Sequence, residues 1–300
     1  MAKHKITIGI PAYNEEANIT FLIEDIERQK QESIGIEKIL IYSDGSTDET
    51  VTRIKEIKDP RVELISSNVR KGIALGLNII NDLSTSEILI VLNADIRIKD
   101  PYFLEKMAQP ILEQGADLVS CPVYELPPTN LLGEVLGVSM DIKRKVFGQL
   151  RFGKNVFTCH GRARAFSKKL YRDIGFNFSV GEDAYSYLYC VDNHYRYAYV
   201  SNTTVFYKLP DNLIDHQSQS LRYYYSQKLL SEIFGEELIA AEYKFPSFLF
   251  LKSYFYYLIR KPLLVILYSL LWCFVRWRSL FVFSFKDKWD IALSSKRLNK

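Results

Sequence analysis

The chain is poor in the residues that mark several function classes. Its four cysteines, Cys121, Cys159, Cys190 and Cys273, lie far apart. With no Cys-x-x-Cys pair, a zinc ribbon or a thioredoxin-type site is disfavoured, and isolated buried thiols in a reducing compartment are expected. Charge of one sign is lacking as well: 39 Lys and Arg face 35 Asp and Glu, a net charge of +4, and the basic residues are scattered. That balance argues against a nucleic-acid partner. No Gly-x-Gly-x-x-Gly follows the first strand-like run, which disfavours a dinucleotide-dependent dehydrogenase. Met1-Ala2-Lys3-His4-Lys5 lacks the apolar core of a signal peptide, so folding is expected to begin in the cytoplasm. Internal repeats and low-complexity linkers are absent.

Aromatic residues are plentiful: 20 Tyr, 18 Phe and 3 Trp, many of them after residue 185. Such residues pack cores, line sugar sites or sit at membrane interfaces.

Over the first 120 residues strand-like and helix-like segments alternate. Lys5–Ile10, Lys38–Tyr42, Val62–Ile65, Ile88–Leu92 and Asp117–Cys121 read as strands. Between them Glu16–Lys30 places Ile19, Leu22, Ile23 and Ile26 on one helical face, Gly72–Leu83 and Pro101–Glu113 read as further helices, and Ser46 or Thr47 can cap a helix that starts near Thr50. The rhythm predicts an α/β fold, a mostly parallel sheet with helices on both faces, whose ligands bind at the carboxyl ends of the strands. Asn130–Phe147 predicts an amphipathic helix. Residues 161–210 read as helix, loop, helix and two Tyr-rich strands, and 215–234 as a helix. The expected division is a domain over 1–235 and a hydrophobic aromatic segment over 236–300.

That last segment includes Pro262–Val275, 14 residues without a charge, between Arg260-Lys261 and Arg276 and Arg278. A spanning helix needs about 20 apolar residues, so an in-plane or shallow helical hairpin is expected instead. Trp272, Trp277 and Trp289, set among basic residues, are the expected interfacial anchors. A buried helix of a soluble domain is the other reading.

Four polar motifs stand at the ends of the predicted strands or open a later helix: Pro11-Ala12-Tyr13-Asn14-Glu15-Glu16, Ser43-Asp44-Gly45-Ser46-Thr47-Asp48, Asn93-Ala94-Asp95 and Gly181-Glu182-Asp183. Taken singly, the second is a turn plus a helix cap and the fourth an acidic helix start. Taken in order and spacing, they resemble the family 2 glycosyltransferases, which have the GT-A (Rossmann-like) fold. The resemblance covers roughly residues 5–225.

It implies a role for each motif. Ala12, Tyr13, Glu15 and Asp44 are expected to bind the nucleotide, a carboxylate being able to accept from a uracil N–H. Lys71, in Asn68-Val69-Arg70-Lys71-Gly72, would stand by a helix start suited to an anion. Asn93-Ala94-Asp95 takes the place of the family's Asp-x-Asp, so Asp95 is the expected ligand of a divalent cation, Mn²⁺ or Mg²⁺, and Asn93 contacts the cation or the nucleotide. The first acid of that pattern is missing here. His160, in Thr158-Cys159-His160-Gly161-Arg162, would face the sugar or acceptor, or be structural. Asp183 is the expected catalytic base, with Glu182 orienting the acceptor. Gln219-Ser220-Leu221-Arg222-Tyr223 resembles the Gln-x-x-Arg-Trp motif of membrane-embedded members, with Tyr223 for Trp. It implies a diphosphate contact from Arg222, a stacking role for Tyr223 and a site contact from Gln219, with His216 close upstream.

The implied activity is inverting transfer of a sugar from a nucleotide-sugar donor, a UDP-sugar by expectation. The acceptor would be a hydroxyl of a lipid, lipid-linked sugar or glycan at the cytoplasmic face of the membrane. A nucleotidyltransferase shares the layout but would carry a Gly-rich basic loop after strand one. A non-catalytic membrane scaffold derived from the same fold would be expected to lose Asp95 or Asp183.

Overall fold

The computed structural model describes residues 3–177, 181–279, 293–296 and 298. Its elements, in chain order, are β1 (His4–Ala12), α1 (Ile19–Glu27), β2 (Ile34–Asp44), α2 (Thr50–Glu56), β3 (Val62–Ser67), α3 (Ile73–Leu83) and β4 (Ile88–Leu92). There follow β5 (Ile96–Arg97), α4 (Phe103–Gln114), β6 (Leu118–Ser120), β7 (Val123–Glu125), α5 (Leu131–Gln149), β8 (Ala163–Ser167), α6 (Lys168–Asp173) and α7 (Glu182–Asp192). The last are β9 (Tyr197–Tyr199), β10 (Val205–Tyr207), α8 (Leu213–Phe234), α9 (Glu236–Glu242), α10 (Ser247–Arg260) and α11 (Pro262–Ser279).

The main sheet has the order β3-β2-β1-β4-β8-β6-β9, with β5-β10-β7 as a second, smaller sheet. β1 pairs in parallel with both β2 and β4, and the strand order reverses direction there. That reversal opens a crevice at the carboxyl ends of β1 and β4, where sheets of this kind bind ligands. β8 runs antiparallel between β4 and β6.

Alternation along the strands sorts side chains to the two faces. Ile88, Ile90 and Leu92 of β4 join the core under α1, α2 and α4, with Ile19, Leu22, Ile23 and Ile26 of α1 buried there. Leu89 and Val91 join the opposite core, built with α3, α6 and α7. The helical face expected for α1 is the buried one.

Two local expectations are corrected. Residues 163–167 were expected to be helical and form β8; Ala-Arg-Ala-Phe-Ser has little strand preference, and its pairing with β4 and β6 overrides that. Ser46 and Thr47 do not cap α2, whose N-terminus has no side-chain cap. They bind Asn14 instead: the Asn14 amide donates to Ser46 Oγ at 3.1 Å and the Thr47 amide to Asn14 Oδ1 at 2.8 Å.

α10 and α11 lie against α5, where Val265 packs with Val138, Ile142 and Val146. Among the described residues no helix is long and apolar enough to cross a membrane. Phe281–Phe285 and Trp289 lie outside the described residues. Cys121, Cys159 and Cys190 are buried as expected, whereas Cys273 is exposed because α11 turns that side outward.

Candidate active site

The loop after β1 meets the loop after β2 and is fastened to it. Besides the Asn14 contacts, the Glu15 amide donates to Thr50 Oγ1 at 2.7 Å and the Glu16 amide to Asp48 Oδ2 at 3.2 Å. Asp44, at the end of β2, accepts from the amides of Lys71 and Gly72 at 2.7 and 2.8 Å. A carboxylate held by two amides at the start of α3 is fixed in place, with lone pairs left for a donor.

These loops form one wall of a cleft of about 420 Å³. Its lining brings together Ala12, Tyr13, Glu15, Asp44, Asn93, Asp95, Glu182, Asp183, Gln219, Arg222 and Tyr223, eleven of the expected site residues. Residues from five separate stretches of the chain thus converge at the strand ends.

Lys71 and His160 are not in that lining. Lys71 contributes its backbone to Asp44, and its side chain is exposed. Arg70 takes the place in the cleft, its guanidinium 4.4 Å from the centre of the Tyr13 ring. His160 is half-buried next to Gly161, which does line the cleft. Burial and the neighbouring Arg162 guanidinium hold its pKa down at about 4, so it is neutral near pH 7. His216 is also outside the lining, and burial lowers its pKa to about 4.

Asp183 stands in the first turn of α7. Its Oδ2 accepts from the Gly161 amide at 3.2 Å and its Oδ1 from the Ala184 amide at 2.8 Å. Two glycines make this arrangement possible. A Cβ on Gly161 would come within 2.8 Å of Glu182 Oε1. Gly181 has φ +72°, and a Cβ there would meet Ser226 of α8 at 2.7 Å. Beneath them Arg164 is fully buried on β8. It donates to the Glu182 carbonyl at 2.9 Å and to Ser186 Oγ at 2.7 Å, bracing the start of α7 from inside. Burial, followed by the charge of Asp183, raises the pKa of Glu182.

Asp95 lines the cleft and is the carboxylate that a divalent cation could use here. Asn93 Oδ1 is buried and has no hydrogen-bond partner among the described residues, so it is available as a second oxygen. No group of three His, Cys, Asp or Glu residues is placed to hold a metal among the described residues. One carboxylate and one amide suit Mg²⁺ or Mn²⁺ only where phosphate oxygens and water complete the shell, as these ions are usually held beside nucleotides.

Reading the sequence did not single out Arg70, Arg162, Tyr42 or Lys296, all of which line the cleft. Arg70 and Arg162 stood inside motifs already noted. Lys296 had no local signal.

Solved structures share this fold. Mannosyltransferase PcManGT from Pyrobaculum calidifontis, in complex with GDP-Man and Mn²⁺, matches with a TM-score of 0.61 and 15% identity over 93% of this chain and 88% of that one. S. aureus TarS in complex with UDP gives 0.57 and 15%, over 79% of this chain and 65% of that one. In a longer TarS structure this chain covers 39%. Glucosyl-3-phosphoglycerate synthase from Mycobacterium tuberculosis, in complex with Mn²⁺, UDP and phosphoglyceric acid, gives 0.54 and 20% over 76% and 78%. A comparison with curated protein sequences found no match. The model of the family "Glycosyl transferase family 2" matches residues 7–175, more than half of the chain. The chain therefore belongs to glycosyl transferase family 2.

Proposed function

We propose that the protein transfers a sugar from a nucleotide-sugar donor to an acceptor hydroxyl, with inversion at the anomeric carbon. The observation that carries this reading is the meeting of Asp183, Asp44 and Asp95 in one cleft, with Asp183 aligned by two backbone amides. The donor's base and ribose would lie between Tyr13 and Asp44, and its diphosphate towards Asp95, Arg162 and Arg222. The complexes of the similar proteins with UDP or GDP-Man support a nucleotide as part of the donor.

In the proposed reaction the Asp183 carboxylate takes the proton of the acceptor hydroxyl. The acceptor oxygen forms the new glycosidic bond as the bond from the anomeric carbon to the diphosphate oxygen breaks, and the nucleoside diphosphate leaves. Direct displacement inverts the configuration. Asp95 and Asn93 would hold a divalent cation that neutralises charge on the departing diphosphate. Tyr223, 46% exposed at the cleft, is the proposed platform for an acceptor sugar.

The acceptor is proposed to be a lipid, a lipid-linked sugar or a glycan at the cytoplasmic face of a membrane. Support comes from α10 and α11, which turn Phe248 (78% exposed), Ile259 (81%) and Trp272 (52%) outward. Lys252, Arg260, Lys261 and Arg278 are exposed on the same hairpin. An apolar face among cations suits in-plane contact with anionic lipid.

The test is release of UDP or GDP from a panel of nucleotide sugars, with Mn²⁺ and membrane extract as the acceptor source. Release with one donor that depends on the extract is expected. No release with any donor would count against transfer.

A further inference from the structure

The chain returns to the cleft from the far end of the sequence. The short 3₁₀ turn Leu293–Lys296 is tied to α8 on one side: the Ser294 amide and hydroxyl donate to Asp215 Oδ2 at 2.9 and 2.6 Å. On the other side it is tied to the loop after β1. Asn18 Nδ2 donates to the Lys296 carbonyl, and the Leu298 amide donates to Asn18 Oδ1 at 3.3 Å. Between these anchors the Lys296 side chain enters the cleft, only 16% exposed. Its ammonium donates to the Tyr13 carbonyl and to Glu15 Oε1, the latter at 2.5 Å.

Three features bear on what this ammonium does. It lies beside the Glu15 carboxyl, which Asp95 is close enough to influence, so it stands on the acidic side of the cleft. It has three N–H donors, and the described hydrogen bonds use two of them, so one remains for an acceptor inside the cleft. Its place beside Glu15 and Asp95 puts a fixed cation on the side where Asn93 stands in for an acid.

We propose that Lys296 is a donor-binding residue. Pinned by Glu15 and the Tyr13 carbonyl, it donates its remaining N–H to an oxygen of the donor's diphosphate. The proposal rests on the reading of the cleft as a nucleotide-sugar site. It makes the turn Leu293–Lys296 part of that site and assigns to it a charge-assisted contact with the phosphate, not with the nucleoside.

The test is calorimetric titration of the full chain, wild type and Lys296→Met, with UDP and with uridine in the presence of Mn²⁺. Removing one charge-assisted hydrogen bond should weaken UDP about tenfold to a hundredfold. Uridine should change by less than about twofold, and Lys296→Arg should recover most of the loss by keeping the charge. Equal weakening of UDP and uridine would overturn the proposal, since the lysine would then merely prop the Tyr13–Glu15 loop. Unchanged or tighter UDP binding would overturn it too, making Lys296 an occupant that the donor displaces. If the wild type takes GDP instead, the same comparison is made with GDP and guanosine. A wild type that binds neither nucleotide removes the donor site itself, a failure separate from that of Lys296. Should Lys296→Met not fold, Lys296→Gln carries the same comparison.

Discussion

The sheet and the α10–α11 hairpin are both strongly apolar, yet they use that character in opposite ways. In the sheet Ile8, Leu89 and Ile90 are fully buried, because each face is covered by helices. The packed strands hold their polar ends rigid, and Asp44 and Asp95 are presented there. In the hairpin Val265 is buried against α5, while Phe248, Ile259 and Leu263 are 78%, 81% and 65% exposed. Apolar side chains left in water on one face call for a second surface. One region buries its hydrophobes beneath a site, and the other leaves many of its hydrophobes exposed.

The sharpest way to break this comparison is at the chemistry the sheet supports. Asp183→Asn should lower transfer by about a hundredfold to ten-thousandfold while leaving nucleotide affinity within about twofold. Parallel rate and binding measurements check it, and a variant with normal turnover would remove Asp183 as the base. Next in size is Asp95→Ala. It should abolish the increase in UDP affinity on adding Mn²⁺, a loss of about tenfold or more; an unchanged response to the cation would place the metal elsewhere. The hairpin side is tested by Phe248→Glu with Ile259→Glu. Sedimentation with anionic vesicles should fall several-fold, burial of two large apolar side chains being worth a few kcal/mol. UDP binding should be unaffected, and equal sedimentation of variant and wild type would argue against the membrane face.

The smallest expected effect concerns pH. Burial and Arg162 lower the pKa of His160 from its ordinary 6.5 to about 4. Stability from the neutral imidazole is present above pH 6.5 and is lost as the pH falls through 4. His160→Asn should therefore show a shallower fall in Tm between pH 6.5 and 4 than the wild type. A parallel fall in both would mean that His160 does not titrate as described.

The strands β1, β2 and β4 and the four motifs were legible because their signals are local. An apolar run ends at a polar turn, and Ile19, Leu22, Ile23 and Ile26 fall on one helical face. β8 was not legible, because Ala163 to Ser167 become a strand only through partners more than forty residues away on either side of the sheet. Ser46 and Thr47 have the chemistry of helix caps, and Asn14 takes them by tertiary contact. Between Arg70 and Lys71, composition offers no choice; the turn into α3 decides which basic side chain meets Tyr13. Lys296 depends on a contact 281 residues apart in sequence. Charge pairs of that kind leave no periodicity to read.

The central claim is that the strand ends form a nucleotide-sugar donor site. Calorimetric titration of the full chain with UDP and GDP, first with Mn²⁺ and then after chelation, tests it most directly. Saturable binding of one nucleotide, strengthened by the cation, is the predicted result. Heats no different from buffer for both nucleotides, with and without Mn²⁺, from a folded protein would contradict it.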